Sequence, residues 1–341
     1  MNEFEFIRRL RAQVESQGPS AQVVRGIGDD AAVIKPGDGR ELVVTADLLI
    51  EDIDFRRATI TPELLGHKAL AVSLSDVAAM GSEPRWAMLS IGIPSDAWSV
   101  DFIDQLYEGA FKLANRYRIR LVGGDTSRAP DKIVLDSIVL GDCAAGRAVL
   151  RSGAKPGDFL YVTGELGGAA AGLRLLKRGA KLGAKRGNQS EAQAMEKVLQ
   201  RQLSPEPRVG WGLVIGQEQL ASAMIDISDG LSSDLLHLCE ESHVGALIDA
   251  AKIPIDESVV ALVGRRALDP LQLALHGGED FELLFTVAPT KVSKLPKRVD
   301  GVPVTRIGTI EPAAKGIRVA EGSLIWELEA GGFQHFGGKN G

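Results

Sequence analysis

Cysteine is nearly absent: Cys143 and Cys239 are the only two among 341 residues. They lie far apart and in no CxxC or Cys/His spacing, so neither a disulfide framework nor a zinc site is expected. That usage suits a reducing compartment and predicts a cytoplasmic protein. The five histidines are scattered and no GxSxG occurs, which leaves a hydrolase triad without support. His67 and His276 are expected to be solvated or satisfied in the core. No stretch approaches the roughly 20 apolar residues needed to cross a bilayer. The opening MNEFEFIRRLRAQVESQG carries acids and arginines in place of an apolar signal segment, so neither membrane nor export is expected. Positive charge is also in deficit, with 39 Lys and Arg against 45 Asp and Glu. Nucleic acid is therefore not the expected partner, because affinity there rests on neutralising phosphates. Small phosphorylated ligands stay allowed, since a bound metal supplies positive charge locally. Neither GxxxxGK[ST] nor a protein-kinase signature is present.

The length suits two domains, and no repeat of solenoid period is visible. A first helix is expected over about 3–14, with Ile7, Leu10 and Val14 on one face. Glu41 to Asp47 reads as a strand. Thr61-Pro62-Glu63 is a helix start, a capping hydroxyl followed by proline at the first helical position. That helix should run through LLGHKALAVSLSDVAAM and stop at Gly81. Further strands are expected at 86–94, 119–122 and 133–140, and a helix capped by Ser99 with Phe102, Leu106, Ala110 and Leu113 inward. RSGAKPGD, at 151–158, is turn chemistry, and the domain boundary is placed there: 1–148 and 149–341. In the second half come FLYVTGELGGAAAGLRLL, a polar surface loop over 177–193, a strand ending in DISDGL, the helix SSDLLHLCEES, and strands around 281–288 and 302–310. The alternation predicts an α/β or α+β protein.

The informative feature is a short apolar run ending in aspartate within a Gly- or Ser/Thr-rich turn. It recurs as GIGDD (Asp29, Asp30), LVVTAD (Asp47), LVGGDTS (Asp125) and SAMIDISDG (Asp226, Asp229). Asp76 lies inside the helical run AVSLSDVAAM, beside Ser73 and Ser75. Strand ends converge on the rim of a sheet, where α/β proteins bind ligands. Carboxylates gathered there repel one another unless cations hold them. Oxygen ligands without Cys or His favour Mg²⁺, and phosphoryl transfer is the chemistry that most needs such a set. Each motif alone also reads blandly: GIGDD as a turn, DISDGL as a helix start with acids favoured by the dipole, GELGG at 164–168 as packing. Asp76 resists that reading, because an unpaired acid amid small apolar residues is costly to bury. Together they favour function.

GIGDDAAVI, LVVTAD, HKALAVSLSDVAAMGSEPRW, LVGGDTSR, LRSGAKPGDFLYVTGELG, LSPEPRVGWG, IDISDGLSSDLLHL and LHGGEDFELLFTV resemble, in order and spacing, the thiamine-monophosphate kinase family. The wider superfamily also holds aminoimidazole-ribonucleotide and selenophosphate synthetases. The match runs from about residue 4 to the terminal GGFQHF. The resemblance implies an N-terminal α/β domain whose sheet pairs with a second subunit's to form a central barrel in a homodimer, and a C-terminal α+β domain. It implies direct transfer of the γ-phosphoryl group of ATP to thiamine monophosphate, assisted by Mg²⁺. By motif, Asp30, Asp47, Asp76, Asp125, Asp226 and Asp229, with Thr45, would hold Mg²⁺. Gly124, Asp125, Arg151 and Ser228 would contact ATP, with Tyr107 on the adenine side. Glu279 and Phe333 would contact thiamine. The nucleophile is a phosphate oxygen already ionised at neutral pH, so no general base is expected.

The chain departs from the family pattern twice. Asp54 stands where the family has a His before the Phe, which puts that substrate contact in doubt. Phe333 replaces a Trp or Tyr and keeps the ring without its polar handle. Two other readings stay open: another ATP-dependent member of the superfamily acting on a different acceptor, and a non-catalytic Mg-ATP-binding dimer. Selenophosphate synthetase lacks its reactive N-terminal Cys here, and the hydrogenase-maturation relative its C-terminal one.

Overall fold

The computed structural model describes residues 7, 8, 11, 12, 22–37, 39–184, 189–266 and 268–333, without the side chains of 264–266. Of the helix expected over 3–14, the four described residues are helical, and the rest, with Leu10 and Val14, lies outside the described residues.

The first half is built on a seven-stranded sheet. Its strands are β1 (Val23–Arg25), β2 (Ala32–Ile34), β3 (Arg40–Ile50), β4 (Glu83–Ile93), β5 (Arg120–Gly123), β6 (Thr126–Arg128) and β7 (Val134–Ala144). The order is β1-β2-β3-β7-β4-β5, with β6 beside β4. Strands β3 and β7 pair antiparallel along their whole length, from Arg40 opposite Ala144 to Ile50 opposite Val134. Side chains alternate along a strand, so Val43, Thr45, Asp47 and Leu49 share the inner face of β3. Two helices cover that face: α1 (Pro62–Ala79) and α2 (Val100–Arg116). Thr61 caps α1, its hydroxyl accepting from the Leu64 amide, and Ser99 caps α2 in the same way through Phe102. Both caps stand where the sequence places them.

The second half is an eight-stranded sheet of order β15-β14-β10-β13-β8-β11-β9, with β12 beside β13. In chain order its elements are β8 (Phe159–Thr163), α3 (Gly168–Lys177), α4 (Gln189–Leu203), α5 (Val209–Glu218), β9 (Ala221–Asp226) and α6 (Leu231–Ser242). Then follow β10 (Val244–Asp249), α7 (Glu257–Arg266), α8 (Pro270–His276), β11 (Leu283–Val287), β12 (Arg298–Val299), β13 (Val302–Pro312), β14 (Ile317–Glu321) and β15 (Leu324–Glu327). All pairings are antiparallel except β10 with β14. The polar loop expected over 177–193 is cut short, because α4 already begins at Gln189. Its polar opening QSEAQ hides the helix, whose inward face of Ala194, Met195, Val198 and Leu199 starts a turn later.

Helix α1 joins the two halves. Fourteen of its 18 residues are buried, so it has no solvent face and reads as a core element of both layers. Against α2 the approach is backbone to backbone. A Cβ on Gly66 would lie 1.8 Å from the Leu106 carbonyl oxygen, and one on Gly109 1.8 Å from that of Glu63. Gly212 of α5 meets the Ala78 carbonyl at 2.3 Å in the same sense.

Gly109→Ala should therefore force the α1–α2 pair apart, lowering stability by about 1–3 kcal/mol, the usual cost of overpacking. Urea unfolding measures this, and an unchanged midpoint would contradict the close approach.

Candidate active site

Because α1 is buried on every side, its polar residues can only be satisfied by protein groups or a ligand. Ser73 donates to Asp47 Oδ2 on β3 at 2.6 Å and also meets Ser137 of β7. Ser75 donates across to Asp226 Oδ2 at the end of β9, again at 2.6 Å. Thr45 of β3 donates to Asp76 Oδ2. One turn of helix thus ties the acids of both sheets together.

At that point Asp30, Asp76 and Asp226 each bring a carboxylate oxygen within 4.8 Å of the others. Asp30 is 8% exposed and Asp226 2%. Burial, then the charges of Asp47, Asp226 and Asp30, hold Asp76 well above the ordinary carboxylate range. Burial and Asp30 push Asp226 up to about 8. Burial chiefly raises Asp47, with Asp136 and Asp30 adding to it. Asp30 Oδ1 accepts from Arg151 Nη2 at 2.7 Å, yet its Oδ2 is buried with no hydrogen-bond partner among the described residues. Mutually repelling buried acids, an all-oxygen donor set and an orphaned carboxylate oxygen together fit a hard divalent cation.

The two aspartates of GIGDD divide their roles. Asp29 is consumed by the protein: Arg25 Nε donates to it at 3.0 Å and the Arg151 amide at 3.1 Å. Burial, with Asp30 next, still raises it to about 7. Asp30 keeps an oxygen free for a ligand. Burial works against the Arg151 cation, but Asp30, Asp29 and Asp226 outweigh it and raise the guanidinium above its ordinary value.

The other expected residues divide by place. Asp125 is exposed in the β5–β6 turn and takes no part in the buried trio; its carboxylate caps the Thr126 amide at 2.8 Å. Gly124 beside it has φ +151°, and a Cβ there would stand 2.0 Å from the Leu89 carbonyl oxygen, so only glycine fits. Ser228 and Asp229 follow β9 in a half-buried loop, where the Ser228 carbonyl accepts from the Glu279 amide at 2.7 Å. Phe333 is docked on the same loop, its amide donating to the Asp229 carbonyl. Glu279, at φ +66°, pairs with the buried Lys68 of α1. Asp54 turns its carboxylate back onto the Ile50 amide at 2.7 Å. Tyr107 lies on α2 level with Gly66, about 15 Å along α1 from Asp76 at the helical rise.

Several contributors had no clear signal in the sequence. Asp234 is buried and accepts from the Gly230 amide at 2.9 Å, fixing the DISDG loop. In GGEDFEL the three acids separate: Asp280 accepts from the Gly167 and Ala169 amides, while Glu282 accepts from Thr163 at 2.7 Å and pairs with Arg201 and Arg208. The GELGG turn therefore spends its helix-start amides on Asp280, in accord with a packing role. His67 and His276 are satisfied internally, by the Pro205 carbonyl and the Ser232 hydroxyl.

The raised carboxylates carry a sign. Asp29 and Asp226 titrate near 3.8 in the unfolded chain and at about 7 and about 8 when folded. Between those values the folded state holds more protons, so stability falls as pH rises. His67 and His237, lowered by burial, oppose this only below their unfolded value of 6.5. In EDTA, the urea midpoint should therefore drop from pH 6.5 to 8, and Asp226→Asn should flatten the drop. A midpoint rising over that interval would contradict it.

Two family models match the chain: the N-terminal domain of AIR synthase related protein over residues 28–143 and its C-terminal domain over 155–320. The thiamine-monophosphate kinase of Buchnera aphidicola (subspecies Acyrthosiphon pisum) is 38% identical over 338 residues, 98% of each chain. That of Escherichia coli K12 is 37% identical over 341 residues, again 98% of each. A solved structure of AaThiL complexed with AMPPCP and TMP superposes with a TM-score of 0.84 at 32% identity, covering 98% of this chain and 97% of the other. With its two AIR synthase related domains and kinase relatives along its full length, the chain belongs to the thiamine-monophosphate kinase family.

Proposed function

We propose that this kinase transfers the γ-phosphoryl group of ATP directly to the phosphate of thiamine monophosphate, giving thiamine diphosphate and ADP. The observation that carries the reading is the buried trio of Asp30, Asp76 and Asp226 with the orphaned oxygen of Asp30. It stands in a chain whose relatives of equal length are thiamine-monophosphate kinases and whose structural neighbour holds AMPPCP and TMP.

Asp30, Asp47, Asp76 and Asp226 would hold Mg²⁺, with Thr45, Asp229 and the exposed Asp125 reaching ions that arrive with the nucleotide. When bound, Mg²⁺ neutralises the phosphate oxygens and aligns donor and acceptor. Within the protein, Ser73, Ser75 and Thr45 fix the carboxylates by hydrogen bonds, so the donor set is formed before any ligand arrives. Arg151, anchored on Asp30, supplies cationic donors for a phosphate. Gly124 leaves its backbone open to a phosphate, Ser228 flanks the acids, and Tyr107 lies far enough along α2 to meet the adenine end. Glu279 and Phe333 line the thiamine side, with Asp54 in the turn beyond β3. No side chain needs to act as a base, because the attacking phosphate oxygen is already ionised.

We assign ATP binding and dimerisation to residues 1–148 and the α+β half to 149–341. The outer face of the first sheet supports a homodimer closed into a barrel. Val44, Leu140 and Trp86 align across β3, β7 and β4, as do Ala46, Ile138 and Met88. Trp86, Leu48 and Val122 are exposed there at 41%, 54% and 57%, apolar area of the kind that marks an interface, bounded where Leu48 faces Asp136 of β7. A cytoplasmic setting fits the two buried free thiols. Among the described residues no helix is long and apolar enough to cross a membrane.

Purified protein with Mg²⁺ and ATP should release ADP only when thiamine monophosphate is added, with thiamine diphosphate rising in step by chromatography. Mg-ATP binding without that product would point to another acceptor or to a non-catalytic dimer. Asp30→Asn, Asp76→Asn and Asp226→Asn should each lower kcat/KM by more than about 100-fold. Ile138→Asp should shift sedimentation towards the monomer; an unchanged dimer would place the interface elsewhere.

A further inference from the structure

A second charged group on α1 has no part in holding the trio. Lys68 lies eight residues before Asp76, about 12 Å along the helix, and its side chain is 2% exposed. The ammonium meets Glu279 Oε1 at 2.7 Å and the carbonyls of Asp54 and Gln202 at 3.4 Å. It thereby gathers three separate segments: the turn after β3, the end of α4 and the GGED loop. A buried ion pair is weak evidence for stability, since apolar residues of similar volume often serve as well. Its value is better sought in what it positions.

What it positions is Glu279, which holds a left-handed backbone conformation that few non-glycine residues adopt. Its other oxygen accepts from Gln202 Nε2. A carboxylate only accepts, so the Gln202 amide must turn its nitrogen to Glu279. That leaves Gln202 Oε1 buried beside it with no partner among the described residues. The Glu279 side chain is 27% exposed, unlike that of Lys68. One flank of this cluster is therefore open, and on it Glu279 alone reaches the surface, its two oxygens held by Lys68 and Gln202. Asp54 already spends its carboxylate on the Ile50 amide.

We propose that Lys68 and Gln202 are positioning and specificity residues for the phosphate acceptor. Between them they hold both oxygens of Glu279 and so fix the orientation in which its partly exposed carboxylate meets the acceptor. The inference rests on the kinase reading above and deepens it.

Steady-state kinetics of full-length Lys68→Met and Gln202→Leu, with ATP and thiamine monophosphate varied in turn, tests this alongside urea midpoints. The expected result is a KM for thiamine monophosphate raised about tenfold or more, with KM for ATP within about twofold. Lower stability with both KM values unchanged, or both KM values raised together, would overturn the proposal and leave the cluster as packing. If Lys68→Met does not fold, Gln202→Leu decides alone, because it removes the amide without stranding a charge. Wild-type protein with no release of ADP dependent on thiamine monophosphate would instead overturn the kinase reading, and this inference with it.

Discussion

Everything in this molecule is arranged around one helix that has no solvent face. Helix α1 is wedged between the two sheets, so its serines and its aspartate cannot be satisfied by water. Ser73 reaches β3 and β7, Ser75 reaches β9, and Thr45 comes in from β3 to meet Asp76. These contacts fix the angle between the halves and bring acids from both to one point. Glycines at 66, 109 and 212 allow the backbones to close to that distance. A larger residue at any of them would push apart the groups that the hydrogen bonds hold together.

The same wedge makes the site electrostatically unfavourable when empty of cations. Four aspartates share a volume from which water is largely excluded, and burial is the main cause of every raised carboxylate there. The protein offsets part of this with Arg25 and Arg151, which engage Asp29 and Asp30. It leaves the inner oxygens to serine and threonine hydroxyls, neutral donors that orient a carboxylate without neutralising it. A site built this way stores repulsion that a divalent ion relieves. That is the preorganisation the proposed metal-assisted phosphoryl transfer would require. Similar logic governs the Lys68 end of α1, where a buried cation sets a carboxylate beside an open flank.

Much of this was legible before any coordinates. The caps at Thr61 and Ser99 were readable because capping is local and a hydroxyl before a helical run has few other uses. The strand ending in Asp226 was readable from an apolar run that stops at an acid, whereas β3 runs three residues past Asp47 to Ile50, its pairing with β7 carrying it on. Helix α4 was not, since its polar first turn resembles a loop and its apolar face emerges only against α3 and α7. The roles inside GIGDD and GGEDFEL were also hidden. Nothing in the string distinguishes Asp29, consumed by Arg25, from Asp30, which keeps an orphaned oxygen. Likewise Asp280 and Glu282 turned inward to structural partners while Glu279 alone stayed partly open.

The sequence by itself determined the chemical inventory: oxygen donors without Cys or His, glycine at the tight turns, and the family to which the ordered motifs belong. Those are properties of residue type and spacing, which survive without a third dimension. Only the tertiary structure decided which carboxylates meet, because Asp30, Asp76 and Asp226 are separated by 46 and 150 positions and converge solely through the packing of α1. Burial then decided the charge state of Asp76 and Asp226, since the same side chain titrates as an ordinary acid in water and as a strongly raised one in that wedge.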